Sequence, residues 1–227
     1  MTEVALTPSA PCRRPRTVTD TVRGHHRPLA RSGGEIHGAR LTSDALLVVD
    51  LQRAFDDPSM PRRNNPQCPA NVKRLVDHWR RLGLPVVFVR HDSCESGSLL
   101  APGLPGNTFM TELSGEPDLL VSKHVHSAFH GDPDLDGWLR ERDIQAVTLC
   151  GITTDHCCET TARVACDLGY RVRFVIDATS TFPRRTPGGE EIAADDVARV
   201  VAASLDGEFA EVVTADAVVM QRPSASC

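Results

Sequence analysis

No apolar stretch in this sequence is long enough to enter a bilayer as a helix. The longest unbroken runs, such as Ala45 to Val49, fall far short of the roughly 18 residues a spanning segment needs. Paired cysteine spacing is missing too: Cys12, Cys68, Cys94, Cys150, Cys157, Cys158, Cys166 and Cys227 contain no C-x-x-C, and no apolar signal-type region stands ahead of them. Most therefore read as reduced, small apolar residues of a cytoplasmic protein. A basic footprint on the body is the third absence. Residues 1 to 40 hold seven arginines against three acids, but the rest carries eighteen basic residues against twenty-seven acidic ones. That surplus excludes a nucleic-acid partner for the body, since binding to phosphates needs clustered positive charge on the folded domain. Lysine is nearly absent: of the 25 basic residues only Lys73 and Lys123 are lysines.

What is there is an ordinary core. A chain of 227 residues can bury roughly 70% of its unfolded surface without a disulfide or structural metal. Residues 1–40 have no aromatic residue and no sustained period, and are expected to be a disordered, dispensable basic leader; 41–227 is expected to be a single domain. Short bursts rich in Val, Leu and Ile recur at Ala45–Val49, Val86–Val89, Leu119–Val121, Ala146–Cys150, Val172–Ile176 and Val212–Val213, which predicts buried parallel strands. Between them the spacing of Val72, Leu75, Val76, Trp79 and Leu82 predicts a helix. Asp132-Pro133 reads as the cap and first position of a second. A third is expected over 155–168, and a fourth over 190–205 with Ile192, Val197, Val200, Val201 and Leu205 inward. The alternation implies an α/β fold, a doubly wound, mostly parallel six-stranded sheet flanked by helices, with ligands bound beyond the carboxyl ends of the strands.

Three residues at those ends carry chemistry. Asp50 follows four apolar residues, where partial desolvation suits a carboxylate to proton transfer; it could equally cap the following turn. Gln52 and Phe55 follow closely enough to line the same crevice. Lys123 ends the third burst inside an uncharged run, where a compact ammonium is tunable and an arginine is not; the bland alternative is a lysine snorkelling at a strand end. Cys157 falls in the first turn of the helix after the fourth strand, where unpaired N–H groups favour a thiolate and can hold an oxyanion. Cys158 and Cys166 read as packing. His156-Cys157 with Arg163 also matches the H-C-x5-R of cysteine phosphatases, but the five intervening residues include Glu159 and no glycine. His124, His126 and His130, with Asp132 nearby, offer an alternative metal site. His91 and Asp92 follow the second strand without an evident partner.

Taken together, DLQRAF, KHVHSAF, GITTDHCCETTARVACDLGY and VIDATSTF, spanning about Asp44 to Asp177, resemble the isochorismatase-like cysteine hydrolases, in their metal-independent amidohydrolase branch. The resemblance implies a three-layer sandwich, a catalytic triad of Asp50, Lys123 and Cys157, and a cis peptide between Ile152 and Thr153 that pairs the Thr153 and Cys157 amides as an oxyanion hole. Phe129 joins Gln52 and Phe55 as an expected substrate-binding residue. The stretch after the second strand, VRHDSCESGSLLAPG, departs from the D-x-H of the family's metal-bearing nicotinamide hydrolases, so no metal or other cofactor is expected. Cys157 departs from true isochorismatases, which typically replace the nucleophile. The expected reaction is C–N hydrolysis of a small amide, ureide or lactam through a thioester, with water as co-substrate. Family substrates include N-carbamoyl and ureido acids, maleamate, biuret and the streptothricin lactam. The alternatives are an ether hydrolase and a non-catalytic ligand-binding member. A homodimer or homotetramer is expected; a membrane partner is not.

Overall fold

The computed structural model of the protein describes residues 44–220. The expected leader lies outside them, as do 41–43 and 221–227. The elements run in the order β1 (Asp44–Val49), α1 (Cys68–Arg81), β2 (Val86–His91), β3 (Leu119–Lys123), α2 (Leu135–Arg140), β4 (Ala146–Ile152), α3 (Glu159–Asp167), β5 (Arg171–Ser180), β6 (Arg184–Arg185), β7 (Glu191–Ile192), α4 (Ala194–Leu205), β8 (Glu211–Val213) and α5 (Ala215–Met220). All six predicted bursts are strands of one parallel sheet in the order β3-β2-β1-β4-β5-β8.

Helices cover both faces, so the inner strands read as continuous apolar runs rather than alternating ones; every residue of β1 is buried. Its side chains divide by the two-residue period of a strand. Ala45, Leu47 and Val49 pack with α2, α3 and α4 residues such as Leu139, Ala162 and Val201. Leu46 and Val48 pack with Val72, Leu75, Val76 and Trp79 of α1 and Val218 of α5. Chain direction around the sheet reverses between β1 and β4, which opens a crevice at their carboxyl ends.

Two helix starts differ from the pattern reading. Asp132 does not cap α2, because its backbone exchanges two 2.8 Å hydrogen bonds with Ser122 and is held extended; the helix begins at Leu135. Glu191 and Ile192 pair with β6, so α4 starts at Ala194. Its inward face is Ala194, Ala198, Val201 and Leu205, while Val200 is 64% exposed. The alanines set the stripe that the larger residues alone misplace. Among the described residues no helix is long and apolar enough to cross a membrane.

Gly151 is where β4 passes close to β1. Its φ is +130°, and a Cβ added there would lie 1.9 Å from the Val49 carbonyl oxygen, which is backbone and cannot yield. Gly151→Ala is expected to destabilise the fold by about 4 kcal/mol or more, combining a backbone clash with a conformation that side chains avoid. Urea denaturation checks this; a loss below about 1 kcal/mol would contradict it.

Candidate active site

The crevice gathers its polar groups from the ends of four adjacent strands. Beyond β1 the chain turns at Asp50, whose φ of 49° is left-handed backbone that aspartate tolerates better than most residues. Its N–H donates to the Val89 carbonyl at 2.9 Å. Lys123, at the end of β3, lies two strands away and must reach across the end of β2. It does so fully buried, and its Nζ donates to Asp50 Oδ2 at 2.6 Å and to Cys157 Sγ at 3.3 Å. The second carboxylate oxygen, Asp50 Oδ1, is buried with no hydrogen-bond partner.

Cys157 arrives from the far side of the crevice. After β4 the chain passes a cis Ile152–Thr153 peptide and enters a π-helical turn, Thr154–Cys158, that runs directly into α3. The expected helix over 155–168 is thus a wide turn followed by an α-helix. The Thr153 carbonyl accepts from the N–H groups of His156 and Cys158 at 3.3 and 3.1 Å. The turn is tied down by Asp155, which receives two hydrogen bonds from Arg184 at 2.6 and 2.9 Å. Thr153 Oγ1 is buried without a partner.

Electrostatics favour a neutral thiol beside a charged ammonium. Burial, reinforced by the Asp50 charge and opposed by Lys123, pushes the Cys157 thiol up to about 12. Burial works against the Lys123 ammonium, but Asp50 and Cys157 together outweigh it, and its pKa is raised. Of the three side chains only Cys157, at 9% exposure, meets solvent; Asp50 and Lys123 are at 0%. The group of three therefore opens to solvent on the sulfur side.

The sequence reading brought Asp50, Lys123 and Cys157 to one point and left out a fourth residue that stands there. His91, at the end of β2, has its Nδ1 3.2 Å from Lys123 Nζ. Gln52 was expected to line the crevice, yet its side chain is buried and occupied: Nε2 donates to the carbonyls of His91 and Asn107 at 3.1 and 2.9 Å, and Oε1 accepts from the His91 N–H at 2.8 Å. It holds the backbone of His91 and Asn107. Phe55 is half-buried against Phe182, ring centroids 6.2 Å apart, in the segments after β1 and β5. Phe129 stacks on Tyr170 at 5.8 Å; Tyr170 precedes β5, which draws that ring toward the opposite end of the strands.

Neither rival arrangement assembles. Arg163 bonds Glu159 at 2.7 Å and Ser204 at 2.8 Å and lies over the Phe209 ring, pointing away from Cys157 along the helix. His124 donates through Nδ1 to the Asp92 carbonyl, and His126 packs edge-on against His156. Asp92 is itself held by Arg90 and Asn107; burial raises its carboxyl, but those partners outweigh burial and hold it low. Among the described residues, the single His, Cys and acid grouping tight enough for an ion is Asp50, His91 and Cys157, within 4.8 Å of one another. The Lys123 ammonium already sits among those three, so a bound cation would face a fixed positive charge at close range. The donor set does not fit a metal.

Residues 44–216 match the family model described as the isochorismatase domain. An uncharacterized isochorismatase family protein, YrdC of Bacillus subtilis, is 31% identical over 77% of this chain and 94% of its own length. Nicotinamidase 3 of Arabidopsis thaliana is 34% identical over 61% of this chain and 73% of its own. Streptothricin hydrolase of Streptomyces noursei is 28% identical over 77% of this chain and 60% of its own. Among solved structures, a putative hydrolase of the isochorismatase family from Chromobacterium violaceum superposes with a TM-score of 0.74 at 34% identity, covering 78% of this chain and 92% of that one. N-carbamoylsarcosine amidase from Thermoplasma acidophilum gives 0.58 at 26% identity, covering 77% and 97%.

Proposed function

The chain belongs to the isochorismatase family, whose members are hydrolases, and on that footing we propose that it is a cysteine hydrolase cleaving the C–N bond of a small amide, ureide or lactam without a metal. The observation that carries the reading is the contact of one buried ammonium with both Asp50 and Cys157, beside an unpartnered Asp50 oxygen. A neutral thiol is a weak nucleophile and needs a base in reach; that role is assigned to Asp50, whose Oδ1 is a buried acceptor without a partner. As Cys157 Sγ attacks the carbonyl carbon, Asp50 takes the proton and Lys123 balances the negative charge that forms. The carbonyl oxygen becomes an oxyanion held by the Thr153 and Cys157 amides. The tetrahedral intermediate collapses by breaking the C–N bond, and the leaving nitrogen takes the proton from Asp50. Water then adds to the thioester by the same route, releasing a carboxylic acid and the free thiol. Support for nitrogen as the leaving atom comes from relatives named as a nicotinamidase, a streptothricin hydrolase and an N-carbamoylsarcosine amidase.

A panel of N-carbamoyl acids, maleamate, biuret, nicotinamide and streptothricin, assayed for released ammonia or amine before and after exhaustive chelation, tests this. At least one member is expected to turn over, with a rate unchanged by the chelator. Loss of activity on chelation with recovery on adding a divalent metal would overturn metal independence. Inertness toward every amide, with cleavage of isochorismate, would assign the ether reaction instead.

A further inference from the structure

We propose that His91 is a positioning residue for the Lys123 ammonium: as a neutral imidazole its Nδ1 takes one ammonium hydrogen and thereby aims another at Cys157. The proposal rests on the reading of Asp50, Lys123 and Cys157 as the reacting centre, and deepens it.

An ammonium has three N–H donors and no acceptor. Three acceptors surround Lys123 Nζ: Asp50 Oδ2 at 2.6 Å, His91 Nδ1 at 3.2 Å and Cys157 Sγ at 3.3 Å. With the lysine side chain fully buried, each hydrogen has one partner and none is left for solvent. The tautomer follows. Because the ammonium can only donate, Nδ1 must accept and Nε2 must carry the ring hydrogen. Burial and the neighbouring ammonium both push the His91 pKa down, which keeps the ring in that neutral form.

The fold makes the contact unavoidable. His91 and Lys123 are register partners at the ends of β2 and β3, and Lys123 must pass over β2 to reach Asp50 beyond β1. Gln52 fixes His91 in turn, grasping its N–H and its carbonyl. If the imidazole were missing, the freed ammonium hydrogen would lack an acceptor, and the head group would settle toward the Asp50 carboxylate, its stronger partner. Cys157 would then lose the positive charge that supports its thiolate. The role assigned to His91 is exerted through Lys123, the one group of the three that its Nδ1 bonds.

The test compares His91→Asn, whose carboxamide oxygen can accept from nearly the Nδ1 position, with His91→Phe, which keeps the bulk and removes the acceptor. Two quantities are read in each folded variant. One is the rate at which iodoacetamide alkylates Cys157, mapped by peptide mass, which needs no substrate. The other is turnover of the best amide in the panel. His91→Phe is expected to lower both by about 10- to 100-fold, the factor for losing one charge-assisted hydrogen bond. The turnover loss should lie in kcat, with KM little changed, and His91→Asn should recover most of it. Wild-type alkylation in His91→Phe would overturn the proposal. So would equal losses in both variants, which would make ring bulk and not Nδ1 the operative feature. If no amide is turned over, the functional reading fails, while the alkylation rates still decide the role of His91.

Discussion

Cys157→Ala is expected to fold normally and to lose turnover by roughly 10⁴-fold or more, the scale seen when the nucleophile of a concerted site is removed. No neighbouring sulfur can stand in. Cys150 and Cys158 are completely buried, and burial raises both thiols well above the ordinary value. Cys166 lies on α3, where its sulfur contacts the Glu208 carbonyl at 3.9 Å. The alanine costs little stability, about 1 kcal/mol, because one small buried atom is removed. Asp50→Asn should be nearly as inactive, since a carboxamide cannot take the thiol proton. The double variant should be scarcely worse than either single one, as groups that act in one step do not contribute additively. With a slow substrate, intact-mass spectrometry of the wild type should show an acyl adduct that maps to Cys157. An adduct on another cysteine, or substantial turnover in Cys157→Ala, would refute the assignment.

Lys123→Met is expected to be damaging in a different way, by destabilising the whole domain as well as silencing it. The Lys123–Asp50 pair is buried at 0% and 1% side-chain exposure. Removing one member of such a pair strands the other charge in the interior, which costs about 3 to 5 kcal/mol. Replacing both, as Asp50→Asn with Lys123→Met, should restore a large part of that stability while leaving turnover undetectable. Urea denaturation of the two variants separates the structural share of the pair from its chemical share. If Lys123→Met alone were as stable as the wild type, the pair would not be the buried ionic contact described above. Lys123→Arg keeps the charge but offers a wide planar fork to a site shaped around a single nitrogen, and should lose nearly as much turnover.

The sheet was legible because a parallel strand covered on both faces must be largely apolar; Ala45–Val49 and Val86–Val89 are apolar throughout, and the other bursts carry at most isolated polar residues such as Thr148 and Arg173. Asp50, Lys123 and Cys157 stood out because each is chemically out of place where it sits: an acid after an apolar strand, a lysine in a chain of arginines, a thiol at a helix start. His91 was seen at the end of the second strand but given no partner, for a topological reason. Its importance depends on β2 lying between β1 and β3, and strand order leaves no trace in local periodicity. The hydrogen bonds of Gln52 were not legible, because nearness to a crevice can be inferred from spacing, whereas the occupation of an amide by a neighbouring peptide cannot. Asp132-Pro133 carried the local signature of a helix cap, and a backbone pairing with Ser122, ten residues earlier, overrode it. On α4 the reading had Val201 and Leu205 inward correctly but missed that Ala194 and Ala198, not Ile192 and Val200, complete the face.

The reach of Lys123 over β2 also bears on how the protein comes into being. Asp50 and Lys123 are separated by 73 residues, and their contact requires β1, β2 and β3 to be laid side by side in register, with Cys157 added from the end of β4. Such pairings between distant segments form late and slowly, because chain entropy is spent before the contacts repay it. Until they form, the chain has a carboxylate and an ammonium with no shared burial and a thiol with no base. The cluster of Asp50, Lys123 and Cys157 is therefore a property of the finished sheet, and no fragment short of β1 through β4 can possess it.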